Sequence, residues 1–201
     1  MPDLPPIELW ATALALGYVV LAARDSVWCW PLGFVSSCLM TYQVLTAYSL
    51  YFDAALNAFY AVMAVVGLVR WTRGGRGGEP APITPMSRRE HAIWIGVGIG
   101  ATSGCLVLAQ ALPGAALPLP DATTTVFSVL ATVLLIERRL ENWLYFAICD
   151  AAYVAIYLDR GSVVFAALFA LYTVLAVAGY ASWRAQMRGL DPNPAHADPL
   201  D

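Results

Sequence analysis

The chain contains no lysine, and its 201 residues include only two histidines, His91 and His196. Without a lysine amine no Schiff base can form, which excludes a retinal held by that linkage. One histidine lies at the edge of an apolar run and the other in the C-terminal tail, so no metal cluster or histidine base is expected among the apolar segments. Charge is scarce too. Only 12% of the residues are charged, about half the share of an ordinary soluble domain. The four cysteines (Cys29, Cys38, Cys105 and Cys149) show no paired spacing and are expected to be thiols buried in apolar segments. Enzyme signatures are lacking as well. Gly96, Gly98 and Gly100 form a GxGxG with no strand before it, which argues against a dinucleotide site. Ser103 has no neighbouring base to activate it. No cofactor and no metal site are expected.

What the chain has in abundance is apolar residues, at 60%. Runs approaching the ~20 residues that cross a bilayer recur along most of its length. A soluble fold of this size could not hide that surface in one core. Seven segments are predicted as spanning helices: 7–23, 28–46, 50–71, 91–112, 121–136, 142–158 and 162–183. The opening, MPDLPPIELW, has neither a positive n-region nor a small-residue cleavage site, so the first run is expected to be a retained helix and not a signal peptide. Between the third and fourth runs stands Thr72-Arg73-Gly74-Gly75-Arg76-Gly77-Gly78, followed by Pro80, Pro82 and Pro85. That density of Gly and Pro predicts a solvated linker, and two Arg-Gly-Gly copies are too few for nucleic-acid binding. The polar tail after Trp183 is expected to be disordered.

The eleven arginines test the count of seven. Alternate loops assign ten of them to one side, namely Arg24, Arg70, Arg73, Arg76, Arg88, Arg89, Arg138, Arg139, Arg184 and Arg188, and leave only Arg160 on the other. Positive charge stays cytoplasmic, so the N-terminus is expected outside and the C-terminus inside.

The sequence also repeats. Residues 54–71 align with 166–183 at an offset of 112, with ten of 18 positions identical, including Tyr60/Tyr172, Gly67/Gly179 and Trp71/Trp183. At an offset of 113, Trp30 meets Trp143 and Glu8 meets Asp121. The unit is three helices, and an extra single helix between two such units gives them the same orientation in the membrane. The expected organisation is a first repeat over 1–71, a cytoplasmic linker over 72–90, a linker helix over 91–112, a second repeat over 113–183 and a tail over 184–201. Parallel repeats of this kind favour transport, with substrate held near the midplane between them.

Most polar residues fall at span ends, but Asp150 falls in mid-helix, where an acid costs ~2.5–3.5 kcal/mol on insertion scales. It is either a protonated interhelical donor or a functional group. Tyr153 and Tyr157 follow it at i+3 and i+7, with Phe146 one turn earlier. An acid beside aromatic rings suits a flat organic cation, through charge and through cation–π attraction of ~0.5–2 kcal/mol. A second stripe runs Asp53, Asn57, Tyr60, Ala64, Gly67 and Trp71. Asp53 reads as a mouth position. Asn57 aligns with Phe169 in the second repeat, an asymmetry that suggests a task beyond packing, with interhelical hydrogen bonding as the alternative. Trp28, Trp30 and Trp143 are either interfacial anchors or site residues, and Trp71 and Trp183 are expected in an interfacial belt. Gln43 and Asn142 are weaker candidates near helix ends.

The stretches Trp28-Cys29-Trp30-Pro31-Leu32-Gly33, Leu50-Tyr51-Phe52-Asp53-Ala54-Ala55-Leu56-Asn57 with Tyr60, Gly67-Leu68-Val69-Arg70-Trp71, Glu141-Asn142-Trp143-Leu144 and Tyr172…Gly179…Trp183 resemble the PnuC family of vitamin transporters, in order over residues 7–184. The resemblance implies an all-α membrane fold of two parallel three-helix bundles joined by a linker helix, like the SWEET sugar carriers. It also implies facilitated diffusion of nicotinamide riboside across the bacterial inner membrane, for NAD biosynthesis, with trapping by a cytoplasmic kinase. Relatives carry thiamine or riboflavin. The family commonly has Gln at the position of Asn57, and nicotinamide riboside carriers often have Asn near that of Asp150. An acid suits the pyridinium of nicotinamide riboside or the thiazolium of thiamine, and neutral riboflavin less. The site is therefore expected from Asp150, Asn57, Trp30, Tyr60, Asn142, Trp143 and Tyr153, with Gln43, Trp28, Tyr157 and Asp53 as further candidates. Expected partners are the bilayer, a small vitamin and a functionally coupled kinase, without nucleic acid, and homo-oligomerisation is left open. A membrane enzyme or sensor without transport is the contrasting class.

Overall fold

In lipid every backbone N–H and C=O must be satisfied within its own segment, and the apolar runs answer that demand as α-helices. A computed structural model describes residues 6–46, 51–73, 81–111 and 119–189. These residues form seven helices: α1 (Pro6–Ala23), α2 (Cys29–Thr46), α3 (Tyr51–Arg73), α4 (Arg88–Ala111), α5 (Leu119–Ile136), α6 (Asn142–Asp159) and α7 (Val163–Met187). Each falls on one of the seven predicted segments, with boundaries displaced by a few residues. Among the described residues four helices contain stretches long and apolar enough to cross a membrane, in α3 (Ala54–Arg73), α4 (Arg88–Gln110), α5 (Leu119–Ile136) and α7 (Val163–Met187). The apolar stretch of α1, Leu9–Ala23, is shorter. Helices α2 and α6 are interrupted by polar side chains, Ser36, Ser37 and Gln43 in one and Asn142 and Asp150 in the other. The chain is a multi-pass membrane protein. Most of the Gly-rich linker, the tail and the connection at 112–118 lie outside the described residues.

Helix α2 packs between α1 and α3, and α6 packs between α5 and α7. The two groups meet through α1 against α7 and α3 against α5, while α4 lies along α5. Close approach within each group uses matched glycines. A Cβ on Gly67 would stand 2.5 Å from the Trp30 ring, and one on Gly179 would stand 2.6 Å from the Trp143 ring. Only a bare α-carbon lets those indoles lie flat on the neighbouring helix.

Where the groups meet, four indoles interlock. Trp30 meets Trp71 edge to face at 5.2 Å and 88°, Trp143 meets Trp183 at 5.7 Å and 87°, and Trp71 meets Trp183 at 5.8 Å. The indole N–H of Trp71 donates to the Leu135 carbonyl (3.3 Å), and that of Trp183 donates to the Ala22 carbonyl (3.0 Å). Trp71 and Trp183 are 2% and 0% exposed. This corrects the expectation of an interfacial belt: hydropathy reports depth in the membrane, not whether lipid or protein covers the side chain. Cys29 and Cys149 are buried thiols as expected, but Cys38 and Cys105 are exposed, and all four are free.

The α1–α2 and α5–α6 turns each place a non-glycine residue in the left-handed region, Asp25 (φ 57°) and Arg138 (φ 54°). Their side chains form a buried ion pair with each other. The Arg138 guanidinium also lies over the Trp71 ring at 4.6 Å and the Trp183 ring at 5.9 Å. Arg138 is thus a core residue as well as a loop charge. The segment before α4 runs across the α5–α6 turn: Thr84 N–H donates to the Arg138 carbonyl and Leu140 N–H to the Thr84 carbonyl, both at 3.0 Å. The Met86 N–H donates to the Glu141 carboxylate at 2.8 Å, and Glu90 pairs with Arg139 at 2.8 Å.

Candidate functional site

Above the indole cluster the two groups of helices separate around a cavity of about 450 Å³, within the size range of small-molecule sites. Its floor is formed by Ala22, Trp30, Leu135 and Trp143, and its walls by α1, α2, α3, α5, α6 and α7. Seven sequence candidates converge here: Trp30, Asn57, Tyr60, Trp143, Asp150, Tyr153 and Tyr157. The helical spacing 150, 153, 157 brings one acid and two phenol rings to the same wall. Asp150 forms no ion pair among the described residues, and no arginine or histidine lines the cavity.

Three candidates stand elsewhere. Asn142 is fully buried below the cavity and donates from Nδ2 to the Arg139 carbonyl at 2.6 Å, acting as a brace for the α5–α6 turn. Gln43 is buried but is not part of the lining. Trp28 is 67% exposed, in keeping with an interfacial anchor. The side chain of Asp53 lies outside the described residues.

The lining also contains residues outside the set expected from the sequence. Tyr18, Ser37, Thr125, Ser128 and Thr132 contribute hydroxyls, and Phe146, Phe169 and Tyr172 contribute rings. The Thr125 and Tyr153 hydroxyls lie 3.5 Å apart. The available signal for Tyr172 was its match to Tyr60, and for Phe169 its mismatch with Asn57. The hydroxyls of α5 had none, because Ser and Thr are common in membrane helices. Two further donors are notable: the indole N–H groups of Trp30 and Trp143 are buried and have no partner among the described residues. Such groups are rare in folded proteins.

Among the described residues the arrangement is a mostly aromatic chamber with one carboxylate, several hydroxyls and no cationic side chain. That chemistry accommodates a flat cation bearing hydroxyl groups and offers nothing to balance an anion.

A curated relative, the nicotinamide riboside transporter PnuC of Neisseria mucosa, is 25% identical over 176 residues, which are 82% of this chain. The chain spans 66% of that relative's length, just under two thirds. The crystal structure of the vitamin B3 transporter PnuC superposes with a TM-score of 0.73 at 21% identity, covering 92% of this chain and 83% of that one. The family model described as nicotinamide mononucleotide transporter matches residues 5–185, and on that match over most of its length the chain belongs to the PnuC family.

Proposed function

We propose that this protein carries nicotinamide riboside across the bacterial inner membrane by facilitated diffusion, with a cytoplasmic kinase trapping the riboside by phosphorylation. The observation that carries the reading is Asp150, a carboxylate on the aromatic wall of a cavity that has no basic side chain among the described residues. A pyridinium ring would meet the acid and stack on Tyr153, while Asn57, the cavity hydroxyls and the two indole N–H groups would bond the ribose. A phosphorylated nucleotide fits poorly, because its phosphate would face Asp150 with no cation to balance it. The relative's name, nicotinamide riboside transporter, agrees with this choice.

The architecture we propose is seven crossings, arranged as two parallel three-helix repeats with α4 as the linker helix. Support comes from the matched Trp–Gly contacts in the two groups and from the exchange of indole hydrogen bonds between them. The arginine distribution supports an outer N-terminus and an inner C-terminus. In that orientation the indole cluster closes the cytoplasmic end of the cavity. Thiamine is the second candidate, since its thiazolium would also meet Asp150.

Titration of the purified protein with nicotinamide riboside, its mononucleotide and thiamine tests the proposal. Micromolar or tighter binding of the riboside, with at least tenfold weaker binding of the other two, is expected. Preference for thiamine replaces the cargo. Proteoliposomes enclosing a riboside kinase test transport itself, and no accumulation above protein-free vesicles would leave a membrane sensor or enzyme as the alternative.

A further inference from the structure

The two halves of the cavity are not chemically alike, and their difference follows one pattern. At the offset of 113 between α2 and α6, Gly33 corresponds to Phe146, Ser37 to Asp150 and Met40 to Tyr153. At the offset of 112 between α3 and α7, Asn57 corresponds to Phe169. All of these residues line the same cavity. At three of the four positions the second half supplies an aromatic ring where the first supplies a small, flexible or polar side chain, and at the fourth it supplies the acid.

Phe169 joins these rings into one surface. It stacks on Tyr153 at 4.5 Å and on Tyr157 at 5.4 Å, with interplanar angles of 28° and 13°, and meets Tyr172 edge to face at 6.0 Å. Helix α6 alone would present Tyr153 and Tyr157 as separate rings 6.2 Å apart. The side chain from α7 packs against both.

We infer that Phe169 is a specificity-determining residue, the ring that completes the aromatic wall of the second half beside Asp150 and selects a flat cation over a neutral ring of the same shape. The inference rests on the proposed riboside reading and assigns the choice between cation and neutral ring to the second half. The first half lines the cavity with its own rings, Tyr18, Trp30 and Tyr60, and with the polar side chains of Ser37 and Asn57. A ring that only filled space between α6 and α7 would affect charged and neutral ligands alike. A ring acting through its π face favours the cation, because the attraction is between the positive charge and the ring quadrupole.

The test compares binding of nicotinamide riboside, which is cationic, with its reduced dihydropyridine form, which is neutral. Wild-type protein is expected to prefer the cation. Phe169→Leu should weaken cation binding by roughly 2- to 30-fold and change binding of the reduced form by less than about twofold on the same scale. Phe169→Tyr should retain the preference. If the Leu variant does not fold, Phe169→Met keeps the volume without the ring and should give the same selective loss. Equal weakening of both ligands, or none, in a variant that folds overturns the inference while leaving the riboside reading intact. Failure of wild-type protein to bind either form overturns the reading and this inference with it.

Discussion

Asp25 and Arg138 are 113 residues apart, the offset that relates the two halves of the chain, so each is the other's counterpart and the two are paired with one another. Both lie in turns with positive φ, and both side chains are largely buried, 11% and 7% exposed respectively. Where two equivalent positions meet at the junction of two repeats, identical charges would repel. Opposite charges convert that meeting into an ion pair, and the Trp71 and Trp183 rings beneath Arg138 add cation–π contact.

Removing one member leaves the other charge buried, which costs about 3–5 kcal/mol in such pairs. Arg138→Met is therefore expected to lower the thermal midpoint of the detergent-solubilised protein sharply. The exchange Asp25→Arg with Arg138→Asp should recover part of the loss, because the sites are related by the repeat. No recovery in the exchange variant would show that the surroundings of the two turns differ more than their backbones do.

Gly67→Ala and Gly179→Ala test the matched helix contacts. Each new methyl would meet an indole ring at 2.5–2.6 Å, and overpacking of this sort costs about 1–3 kcal/mol. Gly96→Ala and Gly100→Ala in α4 are controls, since a Cβ there meets nothing within 4 Å. Replacing a mid-helix glycine in open space should be neutral or stabilise by up to about 1 kcal/mol. Melting curves of all four variants should separate into two groups, and a large loss in the α4 pair would contradict the packing described.

Asp150→Asn preserves shape and removes the carboxylate charge. Affinity for nicotinamide riboside should fall roughly 10- to 100-fold, the effect of losing a charge-assisted contact. Yield and melting temperature should be unchanged, because Asp150 forms no ion pair between helices among the described residues. A variant that binds as wild type does would make Asp150 a packing residue. One that fails to accumulate would make it structural.

The helices were legible because lipid imposes one backbone solution on every apolar run, and the sequence marks those runs plainly. The sequence repeat shows at Gly67/Gly179 and Trp30/Trp143, and each of these glycines lies under the indole of its own half, Gly67 under Trp30 and Gly179 under Trp143. Depth could be read, but facing could not. Trp71 and Trp183 sit at helix ends, as a belt residue would, yet they turn inwards. Arg138 read as one loop charge among ten because only the folded chain brings Asp25 to it. In the candidate site, Asp150, Tyr153 and Tyr157 were found through a single helical face. Phe169 joins them from another helix, and its only trace in the sequence was the mismatch with Asn57.

The crossed indole bonds give a prediction that no single half could show. Trp71 donates to Leu135 and Trp183 to Ala22, and Leu135 and Ala22 are themselves equivalent at the offset of 113. Each half thus lends an N–H to the other. Trp71→Phe and Trp183→Phe each keep an aromatic ring but remove one of the two hydrogen bonds that the carbonyl accepts, since Arg138 N–H still donates to Leu135 and Asp25 N–H to Ala22, at a cost of about 0.5–1.5 kcal/mol. Because the two rings touch at 5.8 Å, the losses should not add, and the double variant should differ from the sum by about 0.5 kcal/mol or more. Strictly additive losses in chemical denaturation would mean that the two bonds act as separate clasps. A non-additive result would mark the four-indole cluster as one unit that joins the halves at the closed end of the cavity.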